Sequence, residues 1–501
     1  MIKMKKFYYS SCSLAAPHVG IILDDIVTSR KEGDTVYLGY CHCALASCFM
    51  NLSGHVSTCK FCHFMYRQYQ KKYGEGVHFM PIKETDLKHQ DRQLNLQNSE
   101  AIRTLKYRQV EVGSSVLSMY YDISRDLDMA NWEGFIGWAQ PLIENLCDFV
   151  DYVYQLLEKL KPDQVLIYNG RLFENRLFYD IAKSMGIEFV SLEGVGGHIE
   201  PYKKIRFVGE WPLNIELYGR MVEDLWKRSP QTLEEKTRQA STFYEKRRNG
   251  ILVFDTKVYT KDQQKDLLPE GFDSSQTNIA IYNSSQDEIA ALGDEWQKGN
   301  LFTSQYEAIE FMLQHANPGI HFYLRIHPNL KGVLHKAHME LYDLQKYPNI
   351  TVIAPESKVS SYALMDACNK VVTFGSSTGV EASYWGKPSI LIGRSFYEMT
   401  DACYHMKSKE ELISAINGHL PAKERLGALK YAYFVLDRQY SVDESNFDID
   451  VRYHHMRWDF FSTSYFKVFG SDFLFQLCYF GCCILGPKIS KARLLFPWPK
   501  R

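Results

Sequence analysis

The sequence lacks any run of about twenty apolar residues, the length that a membrane-spanning helix requires. Residues 1–20 also lack the run of about 7–15 apolar residues that marks a secretory signal peptide. Net charge is nearly absent, because 58 Lys and Arg stand against 59 Asp and Glu. A global basic field that would attract nucleic acid is therefore missing. We predict a cytoplasmic chain that binds no nucleic acid and keeps its twelve cysteines reduced.

Short apolar runs alternate with helix-length segments in both halves of the 501 residues. Examples are DTVYLGY, DQVLIYNG and IEFVSLEG in the first half, and NIAIYNSS, HFYLRIHP, KVVTFGSS and PSILIG in the second. This alternation predicts an α/β fold with parallel sheets and right-handed crossovers. A charged segment, residues 223–250, is typical of an exposed helix or a connector, and it predicts a domain boundary near residue 245. The predicted domains are therefore 1–245 and 246–430, followed by a helical tail at 431–501.

Polar residues follow several of these predicted strands. Ligands of open parallel sheets bind beyond the carboxyl ends of the strands. The residues at those positions are Asn169, Arg171, Glu193, Ser284, Ser285, His327, Pro328, Ser376, Ser377, Thr378 and Gly379. Most are hydroxyl-bearing or small, and one imidazole, one guanidinium and one carboxylate stand among them. We therefore expect the chemistry of the protein at the strand ends.

The segment TFGSSTGVEASYWGKPSILIG predicts a strand that runs through Ser376–Gly379 directly into a helix. Backbone N–H groups at a helix start bind phosphate through hydrogen bonds and the helix dipole, and glycine allows close approach of the backbone. Glu381, in the first turn, is placed to accept from ribose hydroxyls. The alternative is a helix N-cap that binds nothing.

A second strand end, LRIHPN, supports the phosphate interpretation. Pro328 stops the strand, and His327 is placed to donate to a phosphate oxygen. Arg325 lies two residues earlier, and the hydroxyls of Ser284 and Ser285 end a third strand. A single histidine is more often structural, but three such strand ends in one half favour a phosphate site.

The combination of LRIHPN with VVTFGSSTGVEASYWGKPSILIG resembles the capsule polysaccharide synthesis family. That family includes Kdo transferases and is similar in motif to bacterial sialyl- and polysialyltransferases. The resemblance covers about residues 275–400 and implies the GT-B architecture, two Rossmann-like domains facing across a cleft. It implies a metal-independent glycosyltransferase without a catalytic cofactor. Its donor is a nucleotide-sugar, CMP-linked or UDP-linked, and its acceptor a surface polysaccharide or a lipid-linked glycan. The donor-site residues that it implies are His327, Pro328, Ser376, Ser377 and Glu381.

An inverting transferase needs a base to take the proton of the acceptor hydroxyl. The pattern YNGRLFENR followed by IEFVSLEGVGG resembles the N-terminal half of the family, in which an acidic residue before a glycine supplies that base. Glu193 takes this position, although one acidic residue stands where the family has two. The alternative is a helix cap or a surface ion pair. His18, at the opening of the first helix, is the second candidate. Asn169 and Arg171 are predicted to bind the acceptor, and an interdomain ion pair is the alternative for Arg171.

Five cysteines, Cys41, Cys43, Cys48, Cys59 and Cys62, lie within one short segment. The pair Cys59 and Cys62 has chelating spacing, and Cys43 and Cys48 can complete a tetrahedral thiolate site. Such a closed site would hold structural zinc, with no open position for catalysis. Reduced structural cysteines and an iron–sulfur or redox site are the alternatives.

The last segment, residues 471–501, pairs a short apolar run with a basic flank. This pattern fits an interfacial helix on anionic lipid, at the inner face of the plasma membrane. The alternative is a C-terminal helix that packs back on the first domain.

Three other functions are compatible with the motifs. A teichoic-acid-type phosphotransferase that uses a CDP-polyol would share the architecture and the motifs. A non-hydrolysing sugar-nucleotide epimerase would need further acids and bases around the sugar. A non-catalytic scaffold of polysaccharide assembly would bind no nucleotide.

Overall fold

The computed structural model describes residues 3–437, apart from 12, 14–15, 50, 53, 55, 171–172, 196–202, 252, 254–257, 294–295 and 297, and also describes residues 440–441. These residues form two compact units. The first comprises 3–124, 129–212 and 440–441, and the second 125–128 and 213–437. A boundary near residue 245 would fall inside the helix Leu233–Arg248, which belongs to the second unit.

The first unit alternates strands and helices, as its sequence predicts. Its elements are β1 Lys5–Ser10, α1 Ala16–Lys31, β2 Thr35–His42, α2 Val56–Tyr73, β3 Val77–Lys83, α3 Ser99–Arg103, α4 Val112–Ser124, α5 Trp132–Leu160, β4 Gln164–Tyr168, α6 Glu174–Ser184, β5 Glu188–Val195 and β6 Lys203–Val208. The charged stretch between β3 and α4 contains only one short 3-10 helix and α3, and most of its residues are exposed.

The sheet of the first unit has the order β3-β2-β1-β4-β5-β6, and a short strand β13, Tyr440–Ser441, pairs beside β6. The first five strands are parallel, in the order 3-2-1-4-5 of a dinucleotide-binding fold. β6 runs antiparallel to β5. Both faces of the sheet are buried: Phe7, Tyr9 and Phe178 are among the core residues of one face, and Tyr8 and Tyr66 among those of the other.

The second unit begins with two helices and continues with a second strand–helix alternation. Its elements are α7 Ile215–Arg228, α8 Leu233–Arg248, β7 Thr277–Tyr282, α9 Gln286–Ala290, α10 Gln305–His315, β8 Ile320–Arg325, α11 Lys336–Asp343, β9 Ile350–Ile353, α12 Ser361–Ala367, β10 Lys370–Thr373, α13 Thr378–Tyr384, β11 Ser389–Leu391, β12 Tyr404–His405, α14 Lys409–Asn417 and α15 Leu426–Asp437. The strands predicted in this half are confirmed, and so is the helix predicted at the Ser376–Gly379 turn, which begins at Thr378.

The second sheet is parallel throughout, with the order β9-β8-β7-β10-β11-β12. This is the 3-2-1-4-5-6 order, in which the chain reverses its direction of winding between β7 and β10. The predicted α/β class, with two Rossmann-like units and parallel-dominated sheets, is confirmed.

The helices α7 and α8 belong to the second unit because they pack against α15. Tyr244 of α8 is fully buried and donates from its hydroxyl to the Ala428 carbonyl over 2.6 Å. Lys430 of α15 forms an ion pair of 2.6 Å with Glu223 of α7. The first turn of α8 is fixed by a capping box in which Thr232 and Glu235 bond each other's backbone N–H. The charged segment is thus folded helix, not a connector.

Among the described residues, none of the helices combines the length and the apolar character needed to span a bilayer.

Candidate functional site

A pocket of about 250 Å³ lies at the carboxyl ends of β7, β8 and β10 in the second unit. This is the reversal point of the strand order, where ligands of open parallel sheets bind. Its strand-end residues are Asn283, His327, Pro328, Ser376, Ser377 and Thr378. Arg325, the last residue of β8, also lines it. Side chains from other elements complete the wall, among them Arg247, Tyr259, Gln263, Tyr362 and Glu381. The structure therefore brings together the three strand ends that the sequence singles out.

His327 is held in one orientation at the end of β8. Its backbone N–H donates to Asn283 Oδ1 over 2.7 Å, and its Nδ1 accepts from the backbone N–H of Asn329 over 3.1 Å. Because Nδ1 is an acceptor, the neutral ring carries its proton on Nε2. The ring of Tyr259 packs edge-on against the imidazole, with the centroids 4.9 Å apart. His327 is therefore arranged as an Nε2–H donor in the pocket wall.

The turn after β10 depends on a glycine with a left-handed backbone. Gly375 has φ = 105°, and a Cβ at this position would lie 2.6 Å from the carbonyl oxygen of Arg394. Ser376 Oγ then accepts from the backbone N–H of Thr378 over 3.3 Å. Gly379 does not belong to the pocket wall. It packs beneath the turn, where a Cβ would lie 2.5 Å from the Tyr397 hydroxyl, so packing and not ligand approach requires this glycine.

Glu381 is the centre of a polar cluster in the pocket wall. The side chain is 3% exposed. Its Oε1 accepts from Arg247 Nε over 2.9 Å and from Ser377 Oγ over 3.3 Å, and its Oε2 accepts from the Tyr362 hydroxyl over 2.5 Å. Burial and the neighbouring Glu381 carboxylate raise the pKa of Tyr362, so its phenol stays protonated as a donor. The carboxylate predicted to contact ribose is thus engaged mainly by protein side chains.

Arg325 lies at the floor of the same pocket and is 2% exposed. Its Nη1 donates to the Ala354 carbonyl and its Nη2 to the Ser357 carbonyl, the latter over 3.0 Å. Its Nε is buried without a hydrogen-bond partner. Burial lowers the pKa of Arg325, but a guanidinium stays charged at neutral pH. Because its recorded partners are neutral carbonyls, Arg325 adds a positive charge to the pocket floor.

Ser284 and Ser285 are outside the pocket wall. Ser284 Oγ donates to the Phe374 carbonyl over 3.2 Å, which ties the end of β7 to the end of β10. Ser285 is buried and accepts from Asn329 Nδ2 over 3.5 Å. Both serines therefore fasten the strand ends to each other, and their neighbour Asn283 faces the pocket instead.

A second polar group lies at the carboxyl ends of β4 and β5 in the first unit. Glu193 is half-buried, and its Oε2 accepts from Asn169 Nδ2 over 2.7 Å, while its Oε1 accepts from the Tyr168 hydroxyl over 3.3 Å. The ring of His18 stacks on the ring of Tyr168, with the centroids 4.1 Å apart. The structure therefore gathers Glu193, Asn169 and His18, which the sequence predicts separately, around Tyr168.

The two candidate bases, His18 and Glu193, are held differently by the fold. Burial lowers the pKa of His18 to about 4, so its imidazole is neutral at physiological pH and a weak base. A general base is most effective when its pKa is close to the working pH. Two hydrogen bonds orient the Glu193 side chain, from Asn169 and Tyr168, so Glu193 is the better placed of the two.

The five clustered cysteines are distributed among different partners. Cys43 and Cys59 form a thiol–thiol hydrogen bond, which together with burial raises the pKa of Cys43. Cys59 also accepts from Asn51 Nδ2, and Cys62 accepts from Ser13. Among the described residues, no group of three or more His, Cys, Asp or Glu side chains is arranged to hold a metal ion.

Two predicted elements lie outside the described residues. They are Arg171, the predicted acceptor-binding guanidinium, and the basic tail, residues 471–501.

Sequence reasoning missed several residues of the two groups. Arg247, Tyr259, Gln263 and Tyr362 line the pocket but carry no motif and follow none of the strands of the sheet. Tyr168 could have been found, because it is the last residue of β4 and directly precedes Asn169. A search of whole strand termini, and not only of the residues after them, would have included it.

Part of the chain is similar to a known family. Residues 294–411 match the model of the family described as "Capsule polysaccharide biosynthesis protein". The matched segment contains β8, β10 and α13, and hence His327, Ser376 and Glu381. No curated protein sequence matches the chain.

Solved structures of glycosyltransferases are similar to the chain at low sequence identity. The beta Kdo 2,4 transferase KpsC of Thermosulfurimonas dismutans is 18% identical, with 54% of this chain and 79% of that chain covered and a TM-score of 0.36. The beta Kdo 2,7 transferase KpsC of the same organism is 14% identical, with 60% and 90% covered and a TM-score of 0.32. A glycotransferase of kitacinnamycin is 11% identical, with 91% and 99% covered and a TM-score of 0.24.

Proposed function

We propose, from the match of residues 294–411 to the family model described as "Capsule polysaccharide biosynthesis protein", that the chain is a glycosyltransferase of capsule or surface-polysaccharide synthesis. It moves a sugar from a nucleotide-sugar donor to a growing glycan. The observation that carries this proposal is the pocket at the reversal point of the second sheet. Its wall combines two guanidinium groups, one imidazole and three consecutive hydroxyl side chains, a set that is suited to a phosphate.

The donor phosphate is the leaving group of the reaction, and its negative charge grows as the bond to the sugar breaks. Donors that are oriented before the reaction stabilise such charge without reorganisation. His327 Nε2 and the Thr378 hydroxyl supply them from two strand ends, and Arg325 adds a fixed positive charge. The Ser376 and Ser377 hydroxyls already donate within the wall, to Thr378 Oγ1 and Glu381 Oε1. Because these groups already neutralise the phosphate, we propose catalysis that is independent of a divalent cation.

The acceptor hydroxyl attacks the anomeric carbon directly, and Glu193 takes its proton. This assignment rests on the two hydrogen bonds that orient the carboxylate, from Asn169 and Tyr168. Direct displacement inverts the anomeric configuration, which NMR of the product reports. A product that retains the configuration of the donor would contradict this part of the proposal.

A nucleotide-release screen tests the proposed function. CMP-, UDP-, GDP- and CDP-linked donors are offered to the unaltered chain, to His327→Ala and to a matched control, His315→Ala. His315 is exposed at the end of α10 and lies outside the pocket wall. We expect release from one donor class, with CMP-sugars tested first, a loss of release in His327→Ala and normal release in His315→Ala.

Other outcomes would replace the proposal. Transfer from a CDP-polyol would indicate a phosphotransferase of the teichoic-acid type. If the donor is epimerised and no sugar is transferred, the chain is an epimerase. If no donor releases nucleotide and no nucleotide binds, the chain is a scaffold.

We further propose that residues 471–501 make peripheral contact with anionic lipid, where lipid-linked acceptors would lie, and that the protein works at the inner face of the plasma membrane. Five basic residues in a short segment beside an apolar run favour such a surface. Sedimentation with anionic vesicles tests the contact. If a chain that lacks these residues sediments as the full chain does, the contact is disproved.

The structural zinc expected from the cysteines stays a prediction. Elemental analysis of protein purified without chelators tests it, with about one zinc per chain expected.

A further inference from the structure

The last turn of α8 brings an arginine into the pocket from outside the strand–helix alternation. Tyr244, one turn earlier on the same face of α8, is fully buried and stacks on Tyr384 of α13, with the ring centroids 4.1 Å apart. It also bonds the Ala428 carbonyl of α15. Because this turn is anchored to two other helices, the Arg247 side chain is held at a fixed position in the pocket wall.

The guanidinium of Arg247 is oriented by two neighbours. Nε donates to Glu381 Oε1 over 2.9 Å, and Nη2 lies 2.8 Å from the same oxygen and donates to Ser377 Oγ over 3.0 Å. In the part of the chain that the structure describes, no hydrogen bond of Arg247 uses Nη1. The side chain is 18% exposed, so Arg247 is partly accessible. A planar guanidinium with one side fixed by a carboxylate can still donate from its other edge.

The charges of the pocket wall do not balance. Its ionised side chains are Arg247, Arg325 and Glu381, which gives two positive charges against one negative charge. Arg325 is 2% exposed, and its buried Nε has no hydrogen-bond partner. Glu356, outside the wall, acts on Arg325 through its charge, and no hydrogen bond or ion pair joins the two among the described contacts. The wall itself keeps a net positive charge, which favours the entry of an anion. The orphaned N–H of Arg325 therefore points to an anionic ligand independently of Arg247.

We propose that Arg247 is a ligand of the donor phosphate, and that Glu381 is a positioning residue that presents it. This inference rests on the proposed nucleotide-binding function of the pocket and deepens it. Glu381 fixes the guanidinium at Nε and Nη2, and Nη1 donates to a phosphate oxygen beside Ser377. The role of Glu381 is accordingly to orient a cation, and contact with the ribose is not required of it.

Calorimetric titration of the full chain tests the proposal, with CMP, UDP and the corresponding nucleosides as ligands. The variants are Arg247→Ala, Arg247→Lys, Glu381→Gln and the control Lys246→Ala. Lys246 is the preceding residue of α8; it is exposed and lies outside the pocket wall. We expect Arg247→Ala to weaken the binding of the preferred nucleotide by about 10- to 100-fold, the worth of a hydrogen bond between charged groups.

The nucleosides separate a phosphate contact from general damage to the pocket. We expect Arg247→Ala to change nucleoside affinity by less than about threefold, because the variant removes a contact to phosphate alone. Arg247→Lys keeps the charge without the planar fork, and we expect its nucleotide affinity to lie between those of the unaltered chain and Arg247→Ala. We expect the same of Glu381→Gln. Lys246→Ala should bind as the unaltered chain does. If Arg247→Ala does not fold, the lysine variant and Glu381→Gln carry the same comparison.

Two results would overturn the proposal, and they differ from a failure of the proposed function. Equal losses for nucleotide and nucleoside would make Arg247 a structural residue of the pocket. Unchanged nucleotide affinity in Arg247→Ala, with a loss in His327→Ala, would leave the nucleotide site intact and remove Arg247 from it. If the unaltered chain binds no nucleotide at all, the proposed function fails and this inference fails with it.

Discussion

Asn169 donates a hydrogen bond of 2.7 Å from Nδ2 to Oε2 of Glu193. Asn169 directly follows β4, and Glu193 lies on the adjacent parallel strand β5. Asn169 reaches the carboxylate from a left-handed backbone with φ = 64°. A non-glycine residue in this region is uncommon, and such strain is concentrated at functional sites. The amide therefore fixes the direction of the Glu193 carboxylate, and Tyr168 supports its other oxygen.

This pair predicts how Glu193 variants behave. If Glu193 is the base, Glu193→Gln keeps the shape and the contact with Asn169 but cannot take a proton. We expect kcat to fall by about 10²- to 10⁴-fold, the usual contribution of a general base. Donor affinity should stay within about threefold, because the donor pocket lies in the other unit. Steady-state kinetics of sugar transfer and nucleotide titration measure the two quantities.

Tyr168→Phe is the matched control for this prediction. It removes the longer hydrogen bond to Glu193, of 3.3 Å, and keeps the ring on which His18 stacks. We expect a decrease in kcat of less than about tenfold, since the carboxylate is still present. Normal transfer by Glu193→Gln would rule Glu193 out as the base.

The strand ends of the donor pocket were predictable because parallel strands deliver their carboxyl ends to one edge of a sheet. His327 and Ser376 are far apart in sequence, yet each follows an apolar run, so the pattern alone predicts that they meet. Side-chain direction was not predictable from that pattern. Ser284 and Ser285 follow β7 as His327 follows β8, but neither serine lines the pocket, and Asn283, the first residue after β7, lines it instead.

Arg247 could not be predicted, because its position depends on helix packing between distant segments. The charged surface of α8 is typical of a solvated connector, and three buried residues, Ala240, Phe243 and Tyr244, attach it to the second unit. That attachment also explains why the unit begins at residue 213 and not near 245. Local sequence pattern carries no information on which long-range partner such a helix finds.

Glu174 makes the stability of the first unit depend on pH. It begins α6 and is 2% exposed, and burial raises the pKa of its carboxyl from 4.5 to about 7. Between these values the native carboxyl holds a proton that the unfolded chain has released. The free energy of unfolding contributed by Glu174 therefore falls as pH rises from about 4.5 to about 7, by up to about 3 kcal/mol, and is constant above.

Glu174→Gln, which is neutral at every pH, should abolish this dependence. We expect the variant to be more stable than the unaltered chain at pH 8 and nearly equal to it at pH 5. Thermal unfolding at the two pH values measures the difference. Glu270→Gln, at an exposed carboxyl, is the control and should move neither midpoint. A constant offset between Glu174→Gln and the unaltered chain at both pH values would contradict an elevated pKa.

Lys370 stabilises the second unit by capping a helix with its side chain. It is 6% exposed, and its Nζ donates to the carbonyls of Ala415, Ile416 and Gly418 over 2.9, 2.7 and 2.7 Å. These groups close the C-terminal end of α14, where a positive charge also meets the negative end of the helix dipole. We expect Lys370→Met to cost about 2–4 kcal/mol, because it leaves carbonyl groups unpaired.

Thermal unfolding checks this prediction. The midpoint of the unfolding transition of the second unit should fall by roughly 5–10 °C. Lys409→Met, at the exposed first residue of the same helix, removes the same charge and should shift the midpoint by far less. Equal shifts in the two variants would show that Lys370 acts only through its charge.

A buried ion network supports the elements that hold His18 and Glu193. Lys204 Nζ of β6 lies 2.6 Å from Asp24 Oδ2 and 3.1 Å from Asp25 Oδ1, both on α1. Arg206 Nη2 lies 2.8 Å from Asp25 Oδ2, so two positive charges balance two negative charges. The side chains of the two aspartates are 0% and 3% exposed. The network joins α1, which begins near His18, to the strand beside β5.

Removing one charged side chain of this network should lower the free energy of unfolding by more than removing an oppositely charged pair does. Lys204→Met leaves two buried carboxylates with one cation, and we expect it to destabilise the first unit by about 3–5 kcal/mol. Adding Asp24→Leu removes the excess charge, so the double variant should recover part of that loss. A double-mutant cycle in urea unfolding measures the coupling, and Lys227→Met, in an exposed pair with Glu223, is the control. Additive effects of Lys204→Met and Asp24→Leu would mean that the two charges do not interact, because a buried pair must give a coupling well above about 0.5 kcal/mol.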